Sequence, residues 1–512
     1  MILHLFPKSE LCARILLHEF SVYDIIVAKT VKKGWVMFYG REMQMKSLMA
    51  LFNKRTASLV TCRGRRRIGK STLIEVFADR SKSRFIKIEG VKPRKGFSDE
   101  TQLKSFAEQL AAQTGADPTP ALNWLNSFLR LNDKISDDER TVVLLDEISW
   151  LGYFDEDFAE TIKIAWDNYW KKHPRLIVVL CGSVSSWIKD NIIDNGAFVG
   201  RRSLDVVVDE LPIGECVKFW GRQAERIAPR EIIDVLSVTG GVPRYLEEMD
   251  PALDANANIA KLCFSPHGIL RDDFDDMFND VITKLPAMCG RVLRSLVDGA
   301  KTVSDVSDAL GISRGGSVSE TLDILSEAGL VRRDAGRNPE TSDLVRQPRY
   351  RLKDNYSRFY LKYVEPVKDM IDDGSYDFTS MSSMPGWDAV LGLAFENLVI
   401  NNYRDLLPRL HLGGALITSA APYVRKKTKE REGCQVDLLI QSRRSLYFVE
   451  IKRKAEIGRE VIDQVDSSVR SISRPEGVSA HTALVYDGHL SPIVEADGYF
   501  DAIVPFREIL GI

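Results

Sequence analysis

Cysteine is scarce in this sequence, and its spacing excludes the common metal and disulfide frameworks. The 512 residues contain seven cysteines, an odd number, and no two of them form a CxxC pair. Structural zinc sites use closely spaced cysteine pairs, and small disulfide-rich domains carry an even and denser set. We therefore predict reduced thiols in a cytoplasmic protein, with neither a disulfide framework nor a zinc site.

Long apolar runs and a large net charge are also absent. The apolar run LIVVLCG is far shorter than the roughly 18 residues that a membrane helix needs. Acids and bases are interspersed over residues 1–20, which argues against a signal peptide. A formal net charge of −2 favours neither a nucleic acid nor a membrane as the partner of the whole chain. We expect no membrane partner, and any other preference must come from local clusters.

The most specific motif is Gly64-x4-Gly69-Lys70-Ser71, which stands between a short apolar strand and an amphipathic helix. In such a P-loop, backbone N–H groups wrap the phosphates and the helix N-terminus adds partial positive charge. Lys70 would reach the β- and γ-phosphates, and the Ser71 hydroxyl would complete a Mg²⁺ shell. The residues predicted to bind nucleotide are Gly64, Arg65, Arg66, Arg67, Ile68, Gly69, Lys70, Ser71 and Thr72.

A second motif, Asp146-Glu147, ends the apolar strand of RTVVLLDEISWL. At this place in an ATPase, the first acid holds the magnesium ion and the second polarises the attacking water. A DE pair after a strand also serves as a helix cap, but the P-loop and this pair support each other. We predict Asp146 as a metal ligand and Glu147 as catalytic.

Further polar residues follow the next strands. Ser183 ends the strand of PRLIVVLCGS and would either sense the γ-phosphate or cap the following helix. Arg201, Arg202 and Arg244 are candidates for stabilising transition-state charge, within one subunit or across two. An ordinary surface role is the alternative for each arginine.

Five segments in order resemble the archaeal-type ATPase family, an AAA-like branch of the P-loop NTPases. They are FYGREMQMKSLMALF, GRRRIGKSTLIEVF, LLDEISWL, CGSVSSWI and GGVPRYL, and they cover roughly residues 38–250. The resemblance implies binding of ATP with Mg²⁺ and hydrolysis of the ATP. It also implies that Arg41, in the Gly-Arg-Glu motif before the first strand, touches the adenine side of the site.

Residues 302–336 have the apolar spacing of a helix–turn–helix, and RQPRYRL completes a hairpin after them. This pattern predicts a winged helix, which would contact DNA phosphates or serve only as a packing module. The arginines of the hairpin are Arg332, Arg333, Arg337, Arg346, Arg349 and Arg351.

The stretch VDLLIQSRRSLYFVEIKRK reads as two strands, with Asp437 in the first and Glu450-x-Lys452 in the second. Residues two apart on a strand share a face, so Glu450 and Lys452 lie together and a turn can bring Asp437 near them. Two carboxylates and an ammonium either form a structural salt bridge or hold a metal ion. Magnesium prefers carboxylate oxygens, and hydrolysis of a phosphodiester needs its developing charge neutralised.

An apolar helix bearing Glu396 precedes these strands, and a helix bearing Gln464 follows them. The order Glu, Asp, Glu-x-Lys, Gln resembles the PD-(D/E)xK nuclease superfamily. By that resemblance Asp437 and Glu450 bind Mg²⁺, Glu396 supports them, Lys452 stabilises the attacking water or the phosphate, and Gln464 helps to position the site.

The sequence thus predicts an α/β fold in several parts. They are an extension (1–35), a P-loop ATPase domain with a parallel sheet (36–250), a helical lid and winged helix (251–365), a linker (366–384), and a restriction-endonuclease-like domain (385–512). We expect an ATP- and Mg²⁺-dependent DNA-processing protein that cuts phosphodiester bonds and forms a homo-oligomer if an arginine acts across subunits. A regulatory switch that does not cut, and a winged-helix transcription regulator, are the alternatives.

Overall fold

The computed structural model describes residues 38–183, 186–281, 286–313, 316–427, 429 and 433–512. The predicted extension, residues 1–35, lies outside these ranges. Residues 41–512 form one compact unit. None of the helices in the described ranges combines the length and the apolar character that a bilayer crossing requires. The six cysteines in the described ranges are buried free thiols.

The first sheet has five parallel strands in the order β2-β3-β4-β1-β5. Its strands are β1 Ser58–Gly64, β2 Arg84–Glu89, β3 Thr141–Asp146, β4 Leu176–Ser183 and β5 Arg202–Val207. Every residue of β3 and β4 is buried, as continuous apolar strands must be when helices cover both faces of a sheet. The predicted P-loop-type α/β fold with a parallel sheet is confirmed for this part of the chain.

Helices alternate with these strands and continue beyond them. The helices up to residue 247 are α1 Glu42–Phe52, α2 Lys70–Arg80, α3 Asp99–Thr114, α4 Trp124–Asn132, α5 Ile148–Leu151, α6 Phe158–Asn168, α7 Ser186–Ile188, α8 Ile213–Cys216, α9 Pro229–Thr239 and α10 Pro243–Glu247. One face of the sheet is covered by α3, α4 and α6. Their aromatic side chains interlock there, with Trp124 and Phe158 ring centroids 4.7 Å apart.

Parallel strands bring their carboxyl ends to one edge of the sheet. Gly64 at the end of β1 pairs with Ser183 at the end of β4, and Glu89 at the end of β2 pairs with Asp146 at the end of β3. In a sheet of this type the ligand binds beyond that edge. The fold therefore gathers the P-loop, the acidic pair and Ser183 in one place.

The middle of the chain is helical and ends in a small hairpin. Its helices are α11 Ala255–Cys263, α12 Ile269–Val281, α13 Pro286–Ser295, α14 Val303–Leu310 and α15 Gly316–Glu327. The strands β6 Val331–Asp334 and β7 Arg349–Leu352 pair antiparallel after them. Two helices and a hairpin thus stand where the sequence predicts a helix–turn–helix and its wing.

The second sheet is mixed and has the order β12-β11-β10-β9-β8. Its strands are β8 Ile417–Arg425, β9 Cys434–Ser442, β10 Ser445–Ile457, β11 Ser479–Leu490 and β12 Ala502–Pro505. The pairs β8–β9 and β9–β10 are antiparallel, whereas β10–β11 and β11–β12 are parallel. The remaining helices are α16 Asn355–Phe359, α17 Lys368–Asp372, α18 Trp387–Asn401, α19 Tyr403–Leu406, α20 Glu460–Ser471, α21 Pro492–Asp497 and α22 Phe506–Leu510.

The segment predicted as a linker, residues 366–384, is packed against the helical region. Met381 is buried, and its backbone N–H donates to the Asn256 side chain at 2.8 Å. The Phe378 and Phe264 rings stack with centroids 4.8 Å apart. These contacts anchor the segment along most of its length, so the parts on either side are held together by packing as well as by the chain.

Candidate nucleotide and metal sites

The P-loop is held in place by a close approach of two backbones. A Cβ atom on Gly64 would lie 2.1 Å from the Val208 carbonyl oxygen, so only glycine fits at the end of β1. At the other end of the loop α2 begins at Lys70, whose Nζ donates to the Arg65 carbonyl at 3.0 Å. The loop therefore curls around the buried lysine, with the first N–H groups of α2 at its open side.

Gly64→Ala is expected to destabilise the protein and weaken nucleotide binding. The added methyl group must displace the backbone at Val208, and overpacking of this kind costs about 1–3 kcal/mol. Urea unfolding and titration with a fluorescent ATP analogue measure the two effects. Gly196→Ala is the matched control, because a Cβ at Gly196 meets no atom within 4 Å. Equal stability of the two variants would contradict the close approach.

The acidic end of β3 is joined to the P-loop helix. The Ser71 hydroxyl donates to Asp146 Oδ2 at 2.6 Å, so the two predicted magnesium ligands share one spot. Lys87 on β2 also reaches this carboxylate, with Nζ 3.5 Å from Asp146 Oδ2 and 3.1 Å from Glu75 Oε1. Sequence reasoning missed Lys87, although a lysine within the strand FIKIE was a signal.

Glu147 takes an unusual backbone conformation beside the same site. Its φ of 46° is left-handed, and it stands at the N-terminus of α5. Burial raises the pKa of its carboxyl group, while the nearby Lys70 ammonium and a backbone hydrogen bond from Ser183 oppose that rise. Its Oε2 is buried without a hydrogen-bond partner among the described residues. The turn needs Gly90 beside it, since a Cβ there would lie 2.7 Å from the Glu147 carbonyl oxygen.

The three arginines within the P-loop bond to surrounding protein groups. Arg65 pairs with Asp354, Arg67 pairs with Asp273, and the Arg66 guanidinium lies 5.1 Å from the centre of the Trp150 ring. These contacts hold the loop from outside. Phosphate binding in this loop would therefore fall to backbone N–H groups and Lys70, as the motif predicts.

The Arg41 side chain bonds to the backbone of the P-loop. It precedes α1 with a φ of 70°, and its Nη2 donates to the Ile68 carbonyl at 2.9 Å. Burial lowers the pKa of its guanidinium, and the negative charge of Asp209 opposes that lowering. The resemblance places this residue on the adenine side, whereas its observed bond is to the backbone of the loop itself.

Of the three candidate arginines, the structure brings Arg244 to the P-loop, whereas Arg201 and Arg202 stand at the start of β5. Arg244 lines a cavity of about 360 Å³ together with Gly69 and Thr72 of the P-loop. Arg201 bonds to Asp167 at 2.8 Å and immediately precedes β5. Since β5 begins beside Leu59 near the start of β1, Arg201 lies at the edge of the sheet opposite the P-loop. Arg201 could therefore take part in catalysis only at the nucleotide site of a second subunit.

One known family matches the part of the chain that contains the P-loop. Residues 38–249 match the family described as an ATPase domain predominantly from Archaea. The match begins and ends within a few residues of 36 and 250, the predicted boundaries of the ATPase domain.

Individual similar proteins are distant from this chain. An uncharacterized protein of Methanocaldococcus jannaschii is 22% identical over 365 residues, which are 71% of this chain and 76% of the relative. The Walker-type ATPase of Pyrococcus abyssi has a TM-score of 0.48 and 18% identity over 64% of this chain and 96% of its own. The ORC2 protein of Aeropyrum pernix has a TM-score of 0.40 and 13% identity over 67% and 96%.

A second cluster of charged residues lies on the mixed sheet, outside the ATPase domain. Asp437 on β9 accepts the backbone N–H of Ile451 on β10, with its Oδ2 3.0 Å from that nitrogen. Lys452 Nζ is 2.5 Å from Glu450 Oε1 and 4.0 Å from Asp437 Oδ2. The structure therefore brings together the three residues that the strand pattern singles out.

Glu396 joins this cluster from α18, which packs against β10. Burial and the negative charge of Asp437 raise the pKa of Glu396 to about 7, against the opposing charges of Lys452 and Arg358. Burial and Asp437 likewise raise the pKa of Glu450 to about 7, and Lys452 opposes the rise. The two carboxyl groups with raised pKa values, Glu396 and Glu450, thus lie near Asp437 and one ammonium. Gln464, by contrast, is exposed on α20.

The donor set of this carboxylate cluster suits a small oxygen-loving cation. In the described ranges no three His, Cys, Asp or Glu side chains are grouped closely enough to hold one metal ion. Magnesium is usually held by one or two carboxylates, with water and substrate phosphate in its other positions. Asp437 and Glu450 would supply those two carboxylates, and a cation would relieve the repulsion that raises the Glu450 pKa.

The predicted DNA-contacting elements are partly used for packing. The Arg337 carbonyl in the loop between β6 and β7 accepts from the Gln441 side chain at 2.7 Å, and its N–H donates to Ser419 at 3.3 Å. Arg351 is buried, and Asp305 on α14 pairs with Lys426 of the segment after β8 at 2.8 Å. The hairpin thus rests on the second sheet. The hairpin arginines that remain exposed are Arg332, Arg333 and Arg346.

Proposed function

We propose that the protein is an ATP-hydrolysing, DNA-processing enzyme whose second sheet carries a Mg²⁺-dependent phosphodiesterase site. The observation that supports this most strongly is the convergence of Asp437, Glu450 and Lys452, with Glu396 beside them. A purely structural salt bridge needs one acid for one base. Buried carboxylates kept together in excess of the ammonium are typical of a functional site.

In the ATPase domain, each predicted residue has a task that its position supports. Lys70 and the loop N–H groups would hold the phosphates, while Ser71 and Asp146 would hold Mg²⁺. The bound ion supplies neutralisation of the charge that develops on the β- and γ-phosphate oxygens. Glu147, whose raised pKa makes it a stronger base, would orient the attacking water and accept its proton. Arg244 and Ser183 would contact the γ-phosphate side.

At the second site, hydrolysis adds water across a P–O bond of the DNA backbone and leaves a phosphate and a hydroxyl. Asp437 and Glu450 would hold Mg²⁺, which supplies Lewis-acid polarisation of the scissile phosphate. Lys452 would stabilise negative charge on that phosphate or on the attacking water. Glu396 would support the cluster from α18.

Contact with DNA is proposed for exposed basic residues of the β6–β7 hairpin and of the segment between β8 and β9. Lys429 and the exposed hairpin arginines offer charge to phosphates, which favours binding that is blind to sequence and sensitive to salt. The hairpin's bonds to β8 and β9 leave it less free to enter a groove, which weighs against a transcription regulator that reads one sequence.

The full-length protein should nick or cut DNA when Mg²⁺ is present and fail to do so in EDTA. Single-stranded, duplex, branched and nicked substrates are incubated with and without ATP, and products are resolved on denaturing gels. Retained DNA binding without cleavage on any substrate would contradict the proposed phosphodiesterase and favour a nucleotide-controlled switch. A change in cleavage when ATP is added would indicate control by the ATPase domain.

A further inference from the structure

We propose that Asp354 and Asn355 are positioning residues that couple the P-loop to the helix carrying Glu396. This inference rests on the proposed function, because it concerns how the two proposed sites influence each other. The two residues, called here the bridging pair, follow β7 and begin α16. They are both buried; Asp354 contacts the P-loop, and Asn355 contacts α18.

The first half of the bridge runs from the P-loop to Asp354. The Arg65 side chain is 4% exposed and that of Asp354 is 0% exposed, and Arg65 Nη1 lies 2.5 Å from Asp354 Oδ1. Arg65 also donates to the Tyr245 hydroxyl at 3.2 Å. A charge buried this completely keeps its partner, because separation would leave both ions without water. The start of the P-loop is therefore tied to a residue 289 positions away.

Asp354 passes this constraint to α16 through its other oxygen. Oδ2 accepts the backbone N–H of Ser357 at 3.0 Å and the Ser357 hydroxyl at 2.5 Å, which caps the helix. One carboxylate thus fixes Arg65 with one oxygen and the first turn of α16 with the other. A shift of the loop at Arg65 must move this helix or break the ion pair.

The second half of the bridge runs from Asn355 to α18. Asn355 Nδ2 donates to the Ala394 carbonyl at 3.1 Å, and its Oδ1 accepts from Asn397 Nδ2 at 3.0 Å. These two partners lie on either side of Glu396 in the same helix. Asn355 also reaches the Leu236 carbonyl in α9 at 3.4 Å. The position of Glu396 is thereby set from α16.

A second contact, separate from the bridging pair, also connects the two proposed sites. Arg453, next to Lys452 on β10, bonds to Asp234 in α9 at 2.6 Å. Helix α9 is followed by α10, whose Arg244 lines the cavity at the P-loop. A chain of buried polar contacts and one partly buried ion pair thus join the same two regions. Elements that are held together at two points move together. A ligand that favours one geometry of the P-loop therefore also favours one geometry of the cluster of Asp437, Glu450 and Lys452.

The coupling requires that nucleotide binding change the exchange of backbone hydrogens in α18. We expect an ATP analogue that resists hydrolysis to slow exchange at the P-loop, at residues 355–359 and at residues 387–401, the last by about fivefold or more. Hydrogen–deuterium exchange with mass spectrometry measures all three regions in one experiment. Cleavage is not the readout, so failure of the coupling and failure of the phosphodiesterase proposal are seen separately.

Three variants decide whether the bridging pair carries the effect. Asn355→Ala should keep protection at the P-loop and lose it in α18, and Asp354→Asn, which can still cap α16, should weaken nucleotide binding about tenfold. Asn258→Ala is the control, because Asn258 is equally buried but its side chain, among the described residues, bonds only to residues 250–254. Asn258→Ala should keep the slowed hydrogen exchange at the P-loop and in α18, even if its free energy of unfolding falls. Protection of the P-loop without α18 in the wild type, or full α18 protection in Asn355→Ala, would overturn the inference.

Discussion

Glu450→Gln is expected to reduce Mg²⁺-dependent cleavage of DNA by about 100-fold or more. Glutamine has the same size but carries no charge, so one of the two proposed metal-holding carboxylates is lost while the strand is preserved. Cleavage is measured under single-turnover conditions over a range of Mg²⁺ concentrations. Asp437→Asn should show a similar loss, because both acids are proposed to hold the same ion.

The matched control is Glu456→Gln, which removes an exposed acid from the same strand β10. It should cleave like the wild type. Cleavage that persists in both Glu450→Gln and Asp437→Asn would exclude this site as the phosphodiesterase. Binding of DNA, followed in parallel, separates a loss of chemistry from a loss of substrate affinity.

The raised pKa of Glu450 also predicts an effect of Glu450→Gln on stability, which is opposite in sign to its effect on cleavage. A folded-state pKa of about 7 lies above the ordinary carboxyl value, so the ionised group destabilises the metal-free protein. This destabilisation is absent at low pH. It grows as pH rises from the ordinary carboxyl pKa of the unfolded chain to the pKa of about 7 in the folded protein, and it is complete above that pH. Glu450→Gln should therefore be at least as stable as the wild type at pH 8 in EDTA. A variant that is more stable but inactive is typical of a residue kept for function.

Local patterns in the sequence predict much of the fold and the members of both sites. Apolar runs followed by glycine or acid place β1 and β3 and, with them, Lys70, Ser71 and Asp146, because these features need only neighbours along the chain. The spacing of Glu450 and Lys452 likewise fixes their shared face. The helix pair and hairpin of residues 303–352 follow from the same short-range periodicity.

The contacts that sequence reasoning missed are those between distant segments. Nothing in the sequence near Arg65 indicates that its partner is Asp354, and nothing near Arg41 indicates a bond to the Ile68 carbonyl. The hairpin arginines look alike in the sequence, yet Arg351 is buried against Asp334 and Asn397 while Arg332 is exposed. Which charges face solvent depends on how the second sheet packs, and that packing has no short-range signature.

Glu147→Gln is expected to slow ATP hydrolysis by about 100-fold while leaving ATP affinity within about threefold of the wild type. The glutamine amide fills the same buried space but cannot accept the proton of the attacking water. Lys70 and the loop N–H groups, which are proposed to hold the phosphates, are unchanged. Single-turnover hydrolysis of labelled ATP and equilibrium titration of a fluorescent analogue give the two quantities.

Two further variants make the result specific to Glu147. Lys70→Ala should lose affinity itself, because the buried ammonium that bonds to the Arg65 carbonyl is also proposed to bind the phosphates. Glu156→Gln removes an exposed acid beyond α5 and should hydrolyse ATP normally. Equal turnover in Glu147→Gln and the wild type would remove Glu147 from catalysis. In that event the left-handed backbone at φ 46° and the unpartnered Oε2 would need another explanation, since both are costly features that a mere helix cap does not require.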